Sequence, residues 1–434
     1  YVAIQSEHHE HYLCGGDECT QIGGHSCENT KFKAWTSTTS LPTESGNWYL
    51  TDDVDLTGTW ECENNVKLCL NGKTITGASG YAVIKVASGA SLDITDCNDT
   101  VGQITHESNT NGCGIEVDGT LTLWNGKITK NTSDGSNGGG VSVNKSGSFT
   151  MNGGAITQNE NEGVGGGVEV VSGGTFTMNG GEITGNTSTS HGGGVYAAGS
   201  FTMNGGAITG NNTTIDSTDI CDGGVYVNIG SNFTVSGVAK IIDNWKNGKL
   251  SDGKYVQGTD GTAGNVYLSN GVTFTIGDGL TEEAQIGVSI SKAELPKAEK
   301  NVQIATNAKS SQLDYNKIFP LDVNDSNYTV IRDNAGKLFI YHHQHSWNYT
   351  VSDDKTTIDV ACGETSCPTK AAGNVTIVAP EESTLTYDGS GKPATLENNL
   401  PSDVKAPKIS YTKGSGQGSS LAVGSVPTDA GSYT

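Results

Sequence analysis

Two segments concentrate the side chains that bind metal ions or pair as disulfides. The first, HHEHYLCGGDECTQIGGHSC at 8–27, holds His8, His9, His11, Cys14, Cys19, His25 and Cys27. The second, at 341–367, offers His343 and His345 and then Cys362 and Cys367, an H-x-H…C-x4-C arrangement around an expected hairpin. A structural Zn2+ takes four nitrogen or sulfur ligands in a tetrahedron, and either segment supplies them. The alternative is disulfides, drawn from Cys14, Cys19 and Cys27 and from Cys362 with Cys367, in an oxidising compartment. Spacing alone does not choose between them. Neither cluster shows a base or an open coordination position, so neither reads as catalytic.

A second set of reactive side chains recurs at one position of a repeated Val-x-Val segment. In order these are Lys85, Glu116, Ser142, Glu169, Tyr196, Tyr226 and Tyr267. If the segments stack as successive strands, Glu116 and Glu169 lie two rungs apart, about 9.6 Å between backbones. An inverting glycosidase places its two carboxyls roughly 6.5–9.5 Å apart, so the spacing permits glycoside hydrolysis without requiring it. Three neighbouring tyrosines suit a sugar, with CH groups on the ring faces and hydroxyls bonding outward. The plain alternative is a solvated strand face with cross-strand pairs, Lys85 with Glu116 among them. Cys69 and Cys97, one repeat apart, are expected to face each other as buried thiols. His106 and His191 read as exposed corner residues. No Ser-His-Asp spacing appears, and no GKS or GKT follows the GGG corners, so a phosphate loop is not expected.

The elements that must position these residues are written in the repeat. GGGVSVNKSGSFTMNGGAITQN (138–159), GGGVEVVSGGTFTMNGGEITGN (165–186), GGGVYAAGSFTMNGGAITGN (192–211) and DGGVYVNIGSNFTVSGVAKIIDN (222–244) align, with degenerate copies at 81–97, 112–131 and 264–279. Each copy holds three short segments that alternate apolar and polar residues, which is strand periodicity. Glycine corners separate them and leave no room for a helix. The expected fold is all-β: a right-handed parallel β-helix of about seven coils. Its core columns are Phe149, Phe176, Phe201, Phe233 and Phe274; Met151, Met178 and Met203; and Ile128, Ile156, Ile183, Ile208 and Ile241. Asn131, Asn159, Asn186, Asn211 and Asn244 fall at one corner of five coils and predict a side-chain amide ladder.

The 434 residues carry 61 glycines, nine prolines and a formal net charge of −22. Such acidity repels phosphate backbones and anionic lipid surfaces, so nucleic acid is not an expected partner. It favours solubility and attracts cations such as Ca2+; no organic cofactor is indicated. No apolar run is long enough to span a bilayer, so no membrane insertion is expected. The domain reading is 1–45, a Cys/His-rich cap; 46–290, the β-helix; 291–340, a β cap; 341–371, a small His/Cys module; and 372–434, a small β-sandwich. The abrupt ends at Tyr1 and Thr434 read as those of an excised piece whose export and anchoring signals lie elsewhere.

The GGGVYV…FTMNGGAITGN coils and LCLNGKTIT at 68–76 resemble the β-helix repeats of large surface proteins of gut Firmicutes, similar in architecture to the pectate-lyase-like superfamily. YDGSGKPAT…PTDAGSYT resembles the Ig-like repeats of the MBG/YDG type found along such adhesins. The resemblance implies an extracellular, bacterial cell-surface, adhesin-like protein that binds glycans or host-surface ligands along the β-helix flank. On that reading Tyr196, Tyr226 and Tyr267 contact ligand and no residue is catalytic. Two other readings stand: a polysaccharide-active hydrolase or lyase using Glu116 and Glu169, and a structural spacer. Fold alone does not decide among them.

Overall fold

The structure is a computed structural model. It describes residues 32–98, 100–107, 111–214, 222–258, 261–269, 271–291, 293–296, 301–323, 327–342, 345–363, 372–378, 394–400 and 404–405. The chain divides into two units, 1–342 and 343–434.

The first unit is a parallel β-helix of about eight turns. Each turn contributes one strand to each of three long parallel sheets. The Val-x-Val sheet runs from Trp60–Cys62 through Ile84–Val86, Ile115–Val117, Val141–Val143, Val168–Val170, Val195–Ala197 and Val225–Val227 to Val266–Leu268 and Val288–Ser289. Every register pair joins the equivalent residues that the sequence aligns: Val141 to Val168, Phe149 to Phe176, Ile156 to Ile183. Rungs at Trp60 and Val288 extend the seven coils legible in the repeat. A fourth, short-stranded sheet follows the asparagine corner, from Thr132–Ser133 to Thr262–Ala263. Two-residue strands have no periodicity to betray them, so the three-strand reading missed it.

Apolar residues at alternate positions point inward and file into columns. Phe149, Phe176, Phe201 and Phe233 are buried, with successive ring centroids 4.8, 4.9 and 5.1 Å apart, the rise of a rung. Phe274 continues the file, and Phe319 packs on it at 5.1 Å from beyond the last coil. The GGG corners exist because backbone lies on backbone there. A Cβ on Gly167 would stand 2.6 Å from the Gly194 carbonyl oxygen.

The asparagines form the ladder. Nδ2 of each donates to Oδ1 of the next, at 2.9 Å from Asn131 through Asn244 and 3.2 Å from Asn244 to Asn265. Each backbone N–H donates to the same oxygen. The second amide proton reaches the carbonyl of an isoleucine on the preceding rung, such as Ile156 below Asn186. Every buried amide is thereby satisfied, which is what makes a polar column tolerable in a core.

His106, expected to be exposed, is 4% exposed and begins this column. Its Nδ1 is hydrogen-bonded to the Asn131 side-chain oxygen at 2.8 Å, and its Nε2 lies 2.9 Å from the Tyr81 carbonyl oxygen. Asp322 ends it, accepting from Asn265 Nδ2 at 2.6 Å, from the Asn265 backbone N–H at 2.8 Å and from Ser289. Burial raises the Asp322 carboxyl above the ordinary range, against these hydrogen bonds. A shorter, outer amide column runs the opposite way, Asn204 to Asn179 to Asn152.

The first unit ends in antiparallel pairing of Val302–Thr306 with Leu338–His342 and of that strand with Tyr328–Arg332. Among the described residues Tyr315–Ile318 is the one helix, capped by Asp314. The second unit holds a four-stranded antiparallel sheet, Trp347–Val351, Thr357–Cys362, Ala372–Val378 and Thr395–Asn398, with Val360 and Val375 buried. One sheet therefore spans the stretch read as two modules.

Candidate functional site

The outward residues of the Val-x-Val sheet form one column: Glu61, Lys85, Glu116, Ser142, Glu169, Tyr196, Tyr226, Tyr267 and Ser289. The strands place them because the Val side chains on either side turn inward and are fully buried. Lys85 does not pair with Glu116 as the sequence suggested. Its ammonium reaches Asp118 at 3.6 Å, and Glu116 instead accepts from Asn137 Nδ2 at 3.0 Å. Asp118, just past the end of the strand Ile115–Val117, takes the ammonium that the cross-strand register offers to Glu116.

Glu169 is the most perturbed carboxyl of the column. Burial pushes it up to about 7, opposed by the Gly138 amide and the Ser142 hydroxyl. The glycine corners cause that burial: a Cβ on Gly138 would lie 3.0 Å from Glu169 Cβ, and one on Gly165 would lie 2.9 Å from it. Glu116 is raised too, by burial first, with Lys85 opposing. Ser142, on the rung between the two glutamates, is fully buried.

Beyond Glu169 the tyrosines stack, centroids 5.5 Å from Tyr196 to Tyr226 and 5.6 Å from Tyr226 to Tyr267, each pair 13° from parallel. The rings thus cover one another's faces. Tyr196 and Tyr226 stay half-exposed while Tyr267 is 6% exposed. What this ladder turns to a ligand is ring edges and hydroxyls, not the open faces that CH stacking needs.

Sequence reasoning missed His191 and Asp222. The imidazole lies on Tyr226 at 4.2 Å, and its Nδ1 donates to Asp222 Oδ2 at 2.8 Å. The carboxylate is fully buried, also accepts from the Gly192 backbone N–H at 3.3 Å, and is raised by burial. Asp222 thereby fixes the ring and leaves Nε2 for other contacts. The signal was the corner DGGV at 222, where the preceding coils have GGGV. Asn228 Nδ2 donates to the Tyr196 hydroxyl at 3.0 Å, completing a contiguous strip of Glu169, Tyr196, Tyr226, His191 and Asn228.

A concavity of about 480 Å3 adjoins the hairpin Lys249–Ser251 and Lys254–Val256 and is lined in part by Lys130, Gln158, Glu160 and Tyr255. The hairpin backbone rests on Gly185 and Gly210; a Cβ on Gly185 would meet the Gly253 oxygen at 2.0 Å. At the equivalent corners Lys130 and Gln158 carry side chains, both at φ +56°.

Among the described residues no three His, Cys, Asp or Glu side chains group as metal ligands. Of the predicted ligand sets, His9, His11, Cys14, Cys19, His25, Cys27, His343 and Cys367 lie outside the described residues. Cys362 pairs across the strands with Trp347, on which the His345 ring stacks at 4.6 Å. No helix among the described residues is long and apolar enough to cross a membrane. Comparison with family models, curated proteins and solved structures finds no match to this chain.

Proposed function

We propose that this protein is an extracellular, adhesin-like binding protein, without catalytic activity, that holds glycans along the flank of the Val-x-Val sheet. The observation that carries this reading is the contiguous strip of Glu169, Tyr196, Tyr226 and His191 on flat, rigid sheet, with phenol hydroxyls and ring edges outward. Such a strip suits a polymer lying along the axis, whose hydroxyls meet the phenols and the carboxyl in register. The test is a glycan array run beside reducing-sugar release from mucin and plant polysaccharides. Binding without release, lost in Tyr196→Ala and Tyr226→Ala, supports the proposal. Absence of binding to every glycan, or binding that both variants retain, overturns it.

One observation favours a second reading, glycoside hydrolysis. A carboxyl at about 7 is protonated enough near neutrality to act as a general acid. Sugar release that Glu169→Gln abolishes would establish it.

A further inference from the structure

Cys69 ends the strand Asn65–Cys69 and is fully buried; Cys97 follows the next rung, Ser91–Thr95, at the corner and is partly exposed. Their sulfurs are 3.1 Å apart. Other described cysteines of the coil end differently: Cys62 Sγ faces the Asn64 carbonyl and Cys113 Sγ the Ile115 carbonyl. A disulfide needs about 2.05 Å between sulfurs, so this pair is about 1 Å from bonding distance.

The corner that carries Cys97 is held independently of the sulfurs. The Asp96 carboxylate accepts the backbone N–H groups of Gly72 at 3.1 Å, Asn98 at 3.0 Å and Gly102. Two of these donors lie on the Cys97 corner and one on the turn after Cys69. The carboxylate therefore clamps the two corners together and aligns the thiols before any bond forms.

We infer that Cys69 and Cys97 are a site of covalent cross-linking, an intercoil disulfide that staples the rung of Asn65–Cys69 to the rung of Ser91–Thr95. The chemical partner is a small-molecule or protein disulfide. Cys97, the accessible sulfur, loses its proton and attacks that disulfide, giving a mixed disulfide and one released thiolate. Cys69 then gives up its proton and attacks the Cys97 sulfur, expelling the second thiolate. Two protein thiols are oxidised to one disulfide, the reagent is reduced to two thiols, and the two protons end on those thiols. Contact with Cys97, and then burial, raise the Cys69 thiol far above its ordinary range. Cys69 is therefore inert until the mixed disulfide forms beside it. The bond closes a loop at the N-terminal end of the coil and persists in an oxidising compartment.

The experiment uses the full chain, treated with oxidised glutathione or with dithiothreitol, digested without reduction and mapped by mass spectrometry. The expected result is one peptide pair joining Cys69 to Cys97 and lighter by two hydrogens. A rise in melting temperature on the order of 5 °C should accompany it and disappear on reduction. Cys97→Ser should lose both the linked peptide and the rise. Cys97 found alkylated after oxidation, or joined to any other cysteine, overturns the inference. If Cys69→Ser does not fold, Cys97→Ser and the wild-type peptide map decide alone.

Discussion

His106 and Asp322 close the two ends of one column of six buried asparagine amides. The amides all point the same way, oxygens toward His106 and nitrogens toward Asp322. The His106 ring meets the oxygen end through Nδ1, and the Asp322 carboxylate meets the nitrogen end. The arrangement parallels the aligned peptide dipoles of an α-helix, whose N–H end is likewise met by anions.

Removing a middle amide should be costly. Asn186→Ala takes away the donor to Asn211 and Ile156 and the acceptor for Asn159. A loss of about 2–4 kcal/mol is expected, because buried partners are left unpaired. Asn204→Ala, in the partly exposed outer column, should cost less than about 1 kcal/mol. Urea denaturation of the two variants checks the contrast, and equal midpoints would refute the buried ladder as a source of stability.

The phenylalanine file should be just as sensitive. Phe201→Ala opens a cavity between Phe176 and Phe233 and should cost about 3–5 kcal/mol. Because each rung touches only its neighbours, the lesion should also broaden the unfolding transition. A calorimetric profile that keeps its midpoint and width would contradict this.

Stability should rise on mild acidification. The Glu169 carboxyl stands at about 7 in the folded state, above its unfolded value, so between the two the folded chain holds more protons. The linked stability is complete below the unfolded carboxyl range and is lost as pH climbs through about 7. Glu169 accounts for no more than about 3 kcal/mol of this. Asp93, Asp96, Glu116, Asp222 and Asp322 are raised in the same direction, by burial foremost. Urea midpoints should be higher near pH 5 than near pH 8, and Glu169→Gln should flatten the slope. A midpoint that falls on going to pH 5 would show the sign to be wrong.

The hairpin over the corners gives a backbone test. Gly185→Ala combines φ +68° with a Cβ 2.0 Å from the Gly253 oxygen, whereas Gly230→Ala has φ +84° and open space. Expected losses are about 2–4 kcal/mol and about 1 kcal/mol respectively. Hydrogen exchange should speed up at 249–256 in the first variant only.

Much of the fold was legible because the repeat states each inward position several times over. Phe201, Ile208 and Asn211 sit where their counterparts one coil earlier demand. Features that occur once escaped. His106 belongs to no column of histidines, so nothing in the pattern moved it from surface to core. Asp222 replaced one corner glycine, a single-letter change whose meaning depends on His191, a full coil earlier. The tyrosine column was foreseen, but its presentation was not: identical rings at the spacing of one rung shield each other's faces.

The amide column also constrains how such a rod can change in length. Deleting 165–191 would bring Asn159 beneath Asn211 and Met151 beneath Met203, leaving every bond of the column with an equivalent partner. Excising half as many residues would set an isoleucine or a turn where an amide must sit. Duplication or loss is therefore tolerated in whole turns, and the molecule can be lengthened like a screw thread, by pitch and never by fraction.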